Sequence, residues 1–307
     1  MSAINTQNKV VDTAVIPLAG LGTRMGPYTA GSPKFMAPIY VGKTARPNID
    51  FTLDDCLDAG IKNLIFVTSN GGDDVLRGYL GPMSKETRER YVTLGNFEQL
   101  EKEQARREAY AELNITYVNQ GPGAYGTAIP LSLVRSALKG TKYFAISGGD
   151  DFVWNPYGVS ELGLQIAQWH QSDAASSVMG VPVARSDGNK YGILQPTNTG
   201  NLAQIIEKPP VDSLPERRRP LANISRYILS DDIWSYLDVV LNTPRDAHQP
   251  EYYITDVINL AVLDGVSFDV HRVQGRYFDA GSPQGAHYAG HTITKLLRPS
   301  LAEAHSL

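Results

Sequence analysis

Residues 13–25 read TAVIPLAGLGTRM, an apolar run that breaks abruptly into glycines. Thr13 to Leu18 is short, continuously apolar and bounded by a turn signal, the pattern of a strand buried on both faces. The loop Leu18-Ala19-Gly20-Leu21-Gly22-Thr23-Arg24 follows at once. Glycines placed there let the backbone approach a ligand closely and aim amide N–H groups at phosphate oxygens. Arg24 adds a cation able to make charge-assisted bonds to the same oxygens. The same spacing also suits a plain tight turn, so the loop needs supporting residues elsewhere. Two familiar phosphate loops fail on inspection. A dinucleotide fingerprint requires a third glycine where Met25 stands, and a phosphate-binding loop ending in Gly42-Lys43-Thr44 requires a glycine where Ala37 stands. Gly42-Lys43-Thr44 is therefore read as an ordinary loop.

Outward from this strand, short apolar runs alternate with amphipathic stretches. Asn63 to Thr68, Ile115 to Val118 and Tyr143 to Ser147 read as strands. Ile49 to Ala59, Ser84 to Leu113 and Ile129 to Leu138 read as helices, with a glycine- and proline-rich loop at Gly121 to Gly126. This alternation predicts an α/β fold with a mostly parallel sheet and helices on both faces. The second half is richer in strands, at Ser176 to Pro182, Gly192 to Gln195, Leu202 to Ile206, Ala222 to Leu229 and Ser267 to Val273. Helices are expected at Ser230 to Leu241, Tyr252 to Asp264 and Pro283 to Leu297. Pro209 to Pro220 (PPVDSLPERRRP) is a loop, because its prolines and charges cannot pack. No stretch separates two domains.

Bulk properties narrow the function. With 307 residues, 42% of them hydrophobic and 20% charged, the chain can bury an ordinary core without staples. A net charge of −4 gives no global attraction to nucleic acid or anionic membrane. Cys56 is the only cysteine, so no disulfide forms within the chain. The polar beginning (MSAINTQNKVVD) lacks a signal peptide's apolar stretch, and no run of 18 apolar residues exists. A cytoplasmic protein without nucleic-acid or membrane partners is the expectation.

The candidate chemistry lies in a few cations and acids. Pro33-Lys34 puts an ammonium on a rigid loop, suited to bridging the oxygens of two phosphates. Gly148-Gly149-Asp150-Asp151 closes one apolar strand, and Phe278-Asp279-Ala280-Gly281 lies near another. Carboxylates at the carboxyl ends of strands sit where open α/β sheets bind ligands, and Mg²⁺ favours one or two of them with phosphate oxygens and water. Each aspartate alone equally fits a turn or a helix cap. Together with the glycine loop and Lys34 they suggest metal-assisted phosphoryl or nucleotidyl transfer. Zinc and triad chemistries have no support, since HExxH, CxxC and GxSxG are absent.

The opening Ala14–Met25 segment, followed at fixed spacing by Pro33-Lys34, resembles that of bacterial UTP–glucose-1-phosphate uridylyltransferases, members of the sugar-1-phosphate nucleotidylyltransferases. Gln120 with Gly126-Thr127-Ala128, Gly149-Asp150-Asp151, Tyr191-Gly192, Glu207-Lys208-Pro209, Ile254-Thr255-Asp256 and Phe278-Asp279-Ala280-Gly281 follow in the family's order. The resemblance spans roughly residues 12 to 295. It implies a Rossmann-like mixed sheet with a smaller sugar-binding β region in one domain: a nucleotide-binding half at about 10–175, a sugar-binding half at about 176–282 and a C-terminal helix at 283–307. It also implies roles. Leu18, Ala19, Gly20, Gly22 and Thr23 would hold the triphosphate, with Arg24 and Lys34 neutralising charge during transfer. Gln120 and Gly126 would contact the base. Gly192 and Glu207 would contact the sugar and Lys208 its phosphate, while Asp150 and Asp279 would hold Mg²⁺. The implied substrates are UTP, or another nucleoside triphosphate, and a hexose-1-phosphate. Relatives often form dimers or tetramers, so a homo-oligomer is compatible, although no segment marks an interface.

Several positions depart from the family's pattern. Phe35 replaces an acid, Thr127 a histidine, and Ser282-Pro283 an Asn-Lys pair. The Gln120–Gly126 loop is one residue short, and Lys43 to Asn48 resembles an insertion. These leave dTTP or another hexose phosphate open as substrates, and leave open a non-catalytic regulator that binds a nucleotide sugar. A glycosyltransferase is disfavoured, because Asp150 and Asp151 are adjacent rather than spaced as Asp-x-Asp.

Overall fold

The computed structural model describes residues 9–20, 22–69, 71–245 and 250–303, with 298–303 described by backbone alone. Leu21 of the glycine loop and the end of the expected 283–307 segment lie outside this set. The first half runs β1 (Thr13–Pro17), α1 (Tyr28–Gly31), β2 (Pro38–Val41), β3 (Thr44–Pro47), α2 (Ile49–Asp58), β4 (Asn63–Thr68), α3 (Gly72–Leu80), α4 (Lys85–Thr93), α5 (Phe97–Ala111), β5 (Asn114–Asn119), α6 (Ile129–Leu133), β6 (Tyr143–Ile146), β7 (Asp151–Trp154) and α7 (Glu161–His170). The second half runs β8 (Ser176–Pro182), β9 (Gly192–Pro196), β10 (Leu202–Glu207), β11 (Leu221–Ser230), α8 (Ile233–Asn242), α9 (Ile254–Leu263), β12 (Phe268–Arg272), β13 (Arg276–Asp279) and α10 (Pro283–Glu303).

Nine strands form one mixed sheet, ordered β10-β9-β11-β6-β1-β4-β5, with β8 joined to β11 and β12. β1 lies between β4 and β6, parallel to both, and β5 extends the parallel run. β11 pairs antiparallel with β6, β8 and β9, so strands of both halves share one sheet. Side chains alternate between two cores, as the pleat requires. Val15, Ile65, Val67, Phe144 and Ile146 face α6, α8 and α9. Ala14, Ile16, Leu64, Phe66 and Ala145 face α2, α5 and α7, with Trp169 and Tyr110 fully or nearly buried among them. Burial on both faces is why β1 reads as an unbroken apolar run.

The structure differs from the sequence expectation in several places, beginning with helices α3 and α7, which the sequence reading does not contain. The stretch 84–113 is two helices, because Gly95 takes a left-handed φ of 68° between them. The helix expected from Ile129 to Leu138 ends at Leu133 and continues as turns. Gly42-Lys43-Thr44 forms the turn and start of the β2–β3 hairpin, and Lys43 to Asn48 is largely its second strand. Finally, Asp151 opens a strand instead of ending one: β7 pairs with β13 as a separate two-stranded ribbon, with Asp151 opposite Asp279. No described helix is long and apolar enough to cross a membrane.

Candidate active site

Because β1, β4 and β6 are parallel, the loops that follow them emerge at one end of the sheet, where open α/β folds bind ligands. The loop after β1 carries Arg24, and the turn after β6 carries Asp150. The β7–β13 ribbon brings Asp279 alongside. Lys34 arrives from the turn before β2. Its Nζ donates to Asp150 Oδ2 at 2.6 Å, and Arg24 Nη1 donates to Asp279 Oδ2 at 3.1 Å. Four side chains, up to 255 residues apart in sequence, therefore meet as two adjacent acid–cation pairs.

Gly281 measures how close the two pairs are. A Cβ built there would stand 2.9 Å from Arg24 Nη2, 3.0 Å from Asp150 Oδ2 and 3.2 Å from Asp279 Oδ1. The two carboxylate oxygens thus flank one point and lie no more than about 6.2 Å apart. A side chain at 281 would fill that point, which is a physical reason for glycine. Partial burial opposes the charge on Arg24, but its ion pair and hydrogen bond to Asp279, with Asp150 beyond, hold its pKa above the ordinary value. The cleft here has a volume of about 400 Å³ and is also walled by Lys190, Tyr191, Asn223, Ser225 and Tyr277. A larger groove, about 560 Å³, lies beside Trp234, but its one acid, Asp231, is paired with Lys142.

The glycine loop is shaped around Lys34. A Cβ on Gly20 would stand 2.9 Å from Lys34 Nζ, and Gly22 has φ 65°. Thr23 begins a short turn through Met25, and Ala19 is half-buried. Leu18 is a core residue whose N–H donates to Val67 O at 2.7 Å, extending the sheet into the loop.

A second group forms at the ends of β9 and β10. Gly192 faces the Glu207 carboxylate, since a Cβ would come within 2.9 Å of Oε2. Thr255 Oγ1 lies 3.4 Å from the same oxygen. Burial raises the Glu207 pKa, and Lys208 and Thr255 work against that rise. Lys208 has φ 42°, its N–H donates to Tyr191 O at 3.1 Å, and its Nζ lies 5.9 Å from the Tyr253 ring centre. Lys208 and Ser225 are the non-glycine residues with left-handed backbone among those described. Such strain gathers at functional sites. Tyr191 lines the cleft, so it links this group to the acids.

Gly126 is held by backbone contact with Tyr252, and Thr127 Oγ1 accepts the Ile254 N–H at the start of α9. Thr127 therefore caps the start of α9 one residue ahead of Thr255, which meets Glu207. Gln120 N–H donates to Thr68 O at 2.7 Å, which ties that residue to the sheet. Sequence reasoning named Asp151 beside Asp150 without giving it a role, and missed Arg226 and Tyr277 behind the acids and Asn223 and Ser225 in the wall. An arginine inside the apolar strand LANISRYILS was the available signal, because a charge there demands a partner.

Comparison with known proteins agrees with this architecture. The model of the nucleotidyl transferase family matches residues 13–295. A UTP–glucose-1-phosphate uridylyltransferase of Haemophilus ducreyi is 29% identical over 88% of this chain and 89% of its own length. The Bacillus subtilis protein of the same name is 31% identical over 75% and 74%. Among solved structures, a UDP-glucose pyrophosphorylase from Acinetobacter baumannii superimposes with a TM-score of 0.77 at 25% identity, covering 96% of this chain and 100% of that one. A UTP-bound structure of the enzyme from that organism gives 0.76 at 25% identity, with 96% and 99% coverage. By its fold, its end-of-sheet cleft and these similarities, the chain belongs to the nucleotidyl transferase family.

Proposed function

We propose that the protein is a magnesium-dependent uridylyltransferase that converts UTP and glucose-1-phosphate to UDP-glucose and pyrophosphate. The observation that carries this reading is the meeting of the Lys34–Asp150 and Arg24–Asp279 pairs beside a glycine loop. The choice of substrates is supported by the curated relatives named for this reaction and by the UTP-bound structure.

In this reading the Leu18–Thr23 loop receives the triphosphate, and Gln120 and Gly126 flank the base. Gly192 and Glu207 meet the sugar, and Lys208 meets its phosphate. An oxygen of the sugar phosphate attacks the α-phosphorus in line. A new O–P bond forms, the bond to the β-phosphate's bridging oxygen breaks, and pyrophosphate leaves with that electron pair. The nucleophile is already ionised at neutral pH, so no general base is needed. Arg24 and Lys34 stabilise the charge that spreads over the reacting phosphates.

Asp150 and Asp279 would hold Mg²⁺, which neutralises and orients the triphosphate when bound. The residue types fit that ion: two carboxylates whose nearest oxygens lie no more than about 6.2 Å apart at the edge of the cleft. With two carboxylates from the protein, the rest of the ion's shell would come from phosphate oxygens and water.

The test crosses four nucleoside triphosphates with several hexose-1-phosphates and reads phosphate after adding pyrophosphatase. Release should be fastest with UTP, glucose-1-phosphate and Mg²⁺ together. Asp150→Asn and Asp279→Asn should each lose on the order of 10³-fold in kcat. Full activity in both variants would reject the metal assignment. Thermal stabilisation by nucleotide sugar without turnover across the whole panel would instead favour a binding protein.

A further inference from the structure

The two acids of the cleft stand on segments that are tied together from behind by one buried arginine. Arg226 is 1% exposed, on β11. Its Nη1 donates to Asp151 Oδ1 at 2.8 Å, and its Nη2 donates to the Asp151 backbone carbonyl at 2.9 Å. Nη1 also reaches Ile224 O at 3.3 Å. Asp151's other oxygen accepts from Tyr277 OH at 2.8 Å. One carboxylate therefore links three strands: β7 by its own backbone, β11 through Arg226 and β13 through Tyr277. Asp150 is its immediate neighbour in sequence, and Asp279 is its partner across the ribbon.

Strand alternation gives the ribbon a second, apolar anchor on its opposite face. Phe152 stacks on Phe51 with ring centres 4.0 Å apart and touches Phe278 at 5.4 Å. The ribbon is thus held by rings on one side and by the arginine on the other, and the two acids project from its end. The arginine's placement is itself constrained. The β11–β8 register shifts between Asn223 and Tyr227, and Ser225, immediately before Arg226, has φ 54°. A bulge of this kind re-aims a side chain at a functional site. Burying an ion pair seldom stabilises a fold beyond what apolar residues of equal volume achieve. Arg226 Nε, moreover, is buried without a hydrogen-bond partner among the described residues. Stability alone gives a poor account of such a residue.

We propose that Arg226, with Asp151 and Tyr277, is a positioning residue that sets the separation of the Asp150 and Asp279 carboxylates so that one divalent cation can be shared between them. This rests on the nucleotidyl-transfer reading above. Both Asp151 oxygens already accept from Arg226 and Tyr277, so in this proposal Asp151 holds the frame while Asp150 and Asp279 meet the cation. The two-pronged contact also requires a guanidinium, since a lysine offers one point of charge and cannot grip side chain and backbone together.

The experiment uses the full-length protein, Mn²⁺ as a paramagnetic probe titrated in the presence of UTP, thermal melts and steady-state kinetics with varied Mg²⁺. The variants are Tyr277→Phe, Asp151→Asn and Arg226→Lys. Tyr277→Phe removes one hydrogen bond and keeps the packing, so it decides the matter if the other variants fail to fold. It should weaken Mn²⁺ binding and raise the Mg²⁺ needed for half-maximal rate, each by roughly 10-fold. Its kcat should fall while KM for both substrates stays within about twofold. Arg226→Lys should not restore cation binding. Unchanged Mn²⁺ affinity in the folded variants, or losses that only track a lower melting temperature, would overturn the proposal. The two readings separate cleanly. A wild-type protein without turnover sinks the function. A wild type that turns over and is silenced by Asp150→Asn, beside clamp variants with normal cation binding, sinks only the positioning role.

Discussion

Replacing Gly20 with alanine separates catalysis from stability, and its consequences follow from distances. Gly20 is exposed, and its backbone is not among the left-handed positions, so an added Cβ meets no conformational penalty. That Cβ would stand 2.9 Å from Lys34 Nζ and 3.3 Å from Lys34 Cε. Ordinary carbon contacts lie at roughly 3.5–4.0 Å, so the lysine tip must retreat by about 0.5–1 Å. The tip is the far end of a flexible chain, so the retreat costs the fold little. It does, however, lengthen the 2.6 Å contact with Asp150 and moves the ammonium away from the reacting phosphates. Misplacement on this scale should lower kcat/KM by about 10–100-fold, or about 1.4–2.7 kcal/mol of barrier. Stability should hold or rise by about 0.4–1 kcal/mol, because alanine narrows the unfolded ensemble. The assay is pyrophosphate release beside a thermal melt of the same preparation. Unchanged kcat/KM would remove Lys34 from the chemistry. A lowered melting temperature with activity falling in step would show that the loop is packed for structure instead.

Two further outcomes follow from burial. Phe152 is 1% exposed and contacts both Phe51 and Phe278, so Phe152→Ala should cost about 3–5 kcal/mol in urea unfolding. A loss below about 1 kcal/mol would mean that the ribbon does not depend on its rings. Burial raises the pKa of Glu207 in the folded state, so that state holds the proton more tightly than the unfolded chain does. Stability is then lost as pH rises from the unfolded Glu value of about 4.3 through the folded one. Glu207→Gln should therefore melt higher than wild type at pH 7, with the gap closing as pH falls towards about 4. A gap independent of pH would refute that origin.

The strands that the sequence revealed most clearly are those in the middle of the sheet. β1, β4 and β6 are buried on both faces and read as unbroken apolar runs, and their alternation with helices betrays the parallel sheet. The ribbon is illegible because β7 and β13 carry a charged residue at an end of each short strand and are not continuously apolar, unlike the equally short β6. The β2–β3 hairpin was hidden by prolines at both ends. The charged stretch 84–113 has a continuous helical pattern, yet Gly95 with its left-handed backbone turns the chain within it. At the site, glycines and acids were visible because they stand out against apolar neighbours. Arg226 and Tyr277 were not, nor was the role of Asp151, because their meaning lies in a contact across three strands that no local spacing records.

The Arg24–Asp279 pair has a consequence in time. Its partners are 255 residues apart, so a chain emerging from the ribosome carries its glycine loop long before the second carboxylate exists. α10, which follows Asp279, then lays Gly290 against the backbone of Tyr40, and Thr294 Oγ1 accepts the Gly42 N–H at 2.7 Å. The hairpin that follows Lys34 is thus fastened by a segment 252 residues further along the chain. Contacts this distant in sequence form slowly, so the two acid–cation pairs are completed only after the chain has been made well past Asp279.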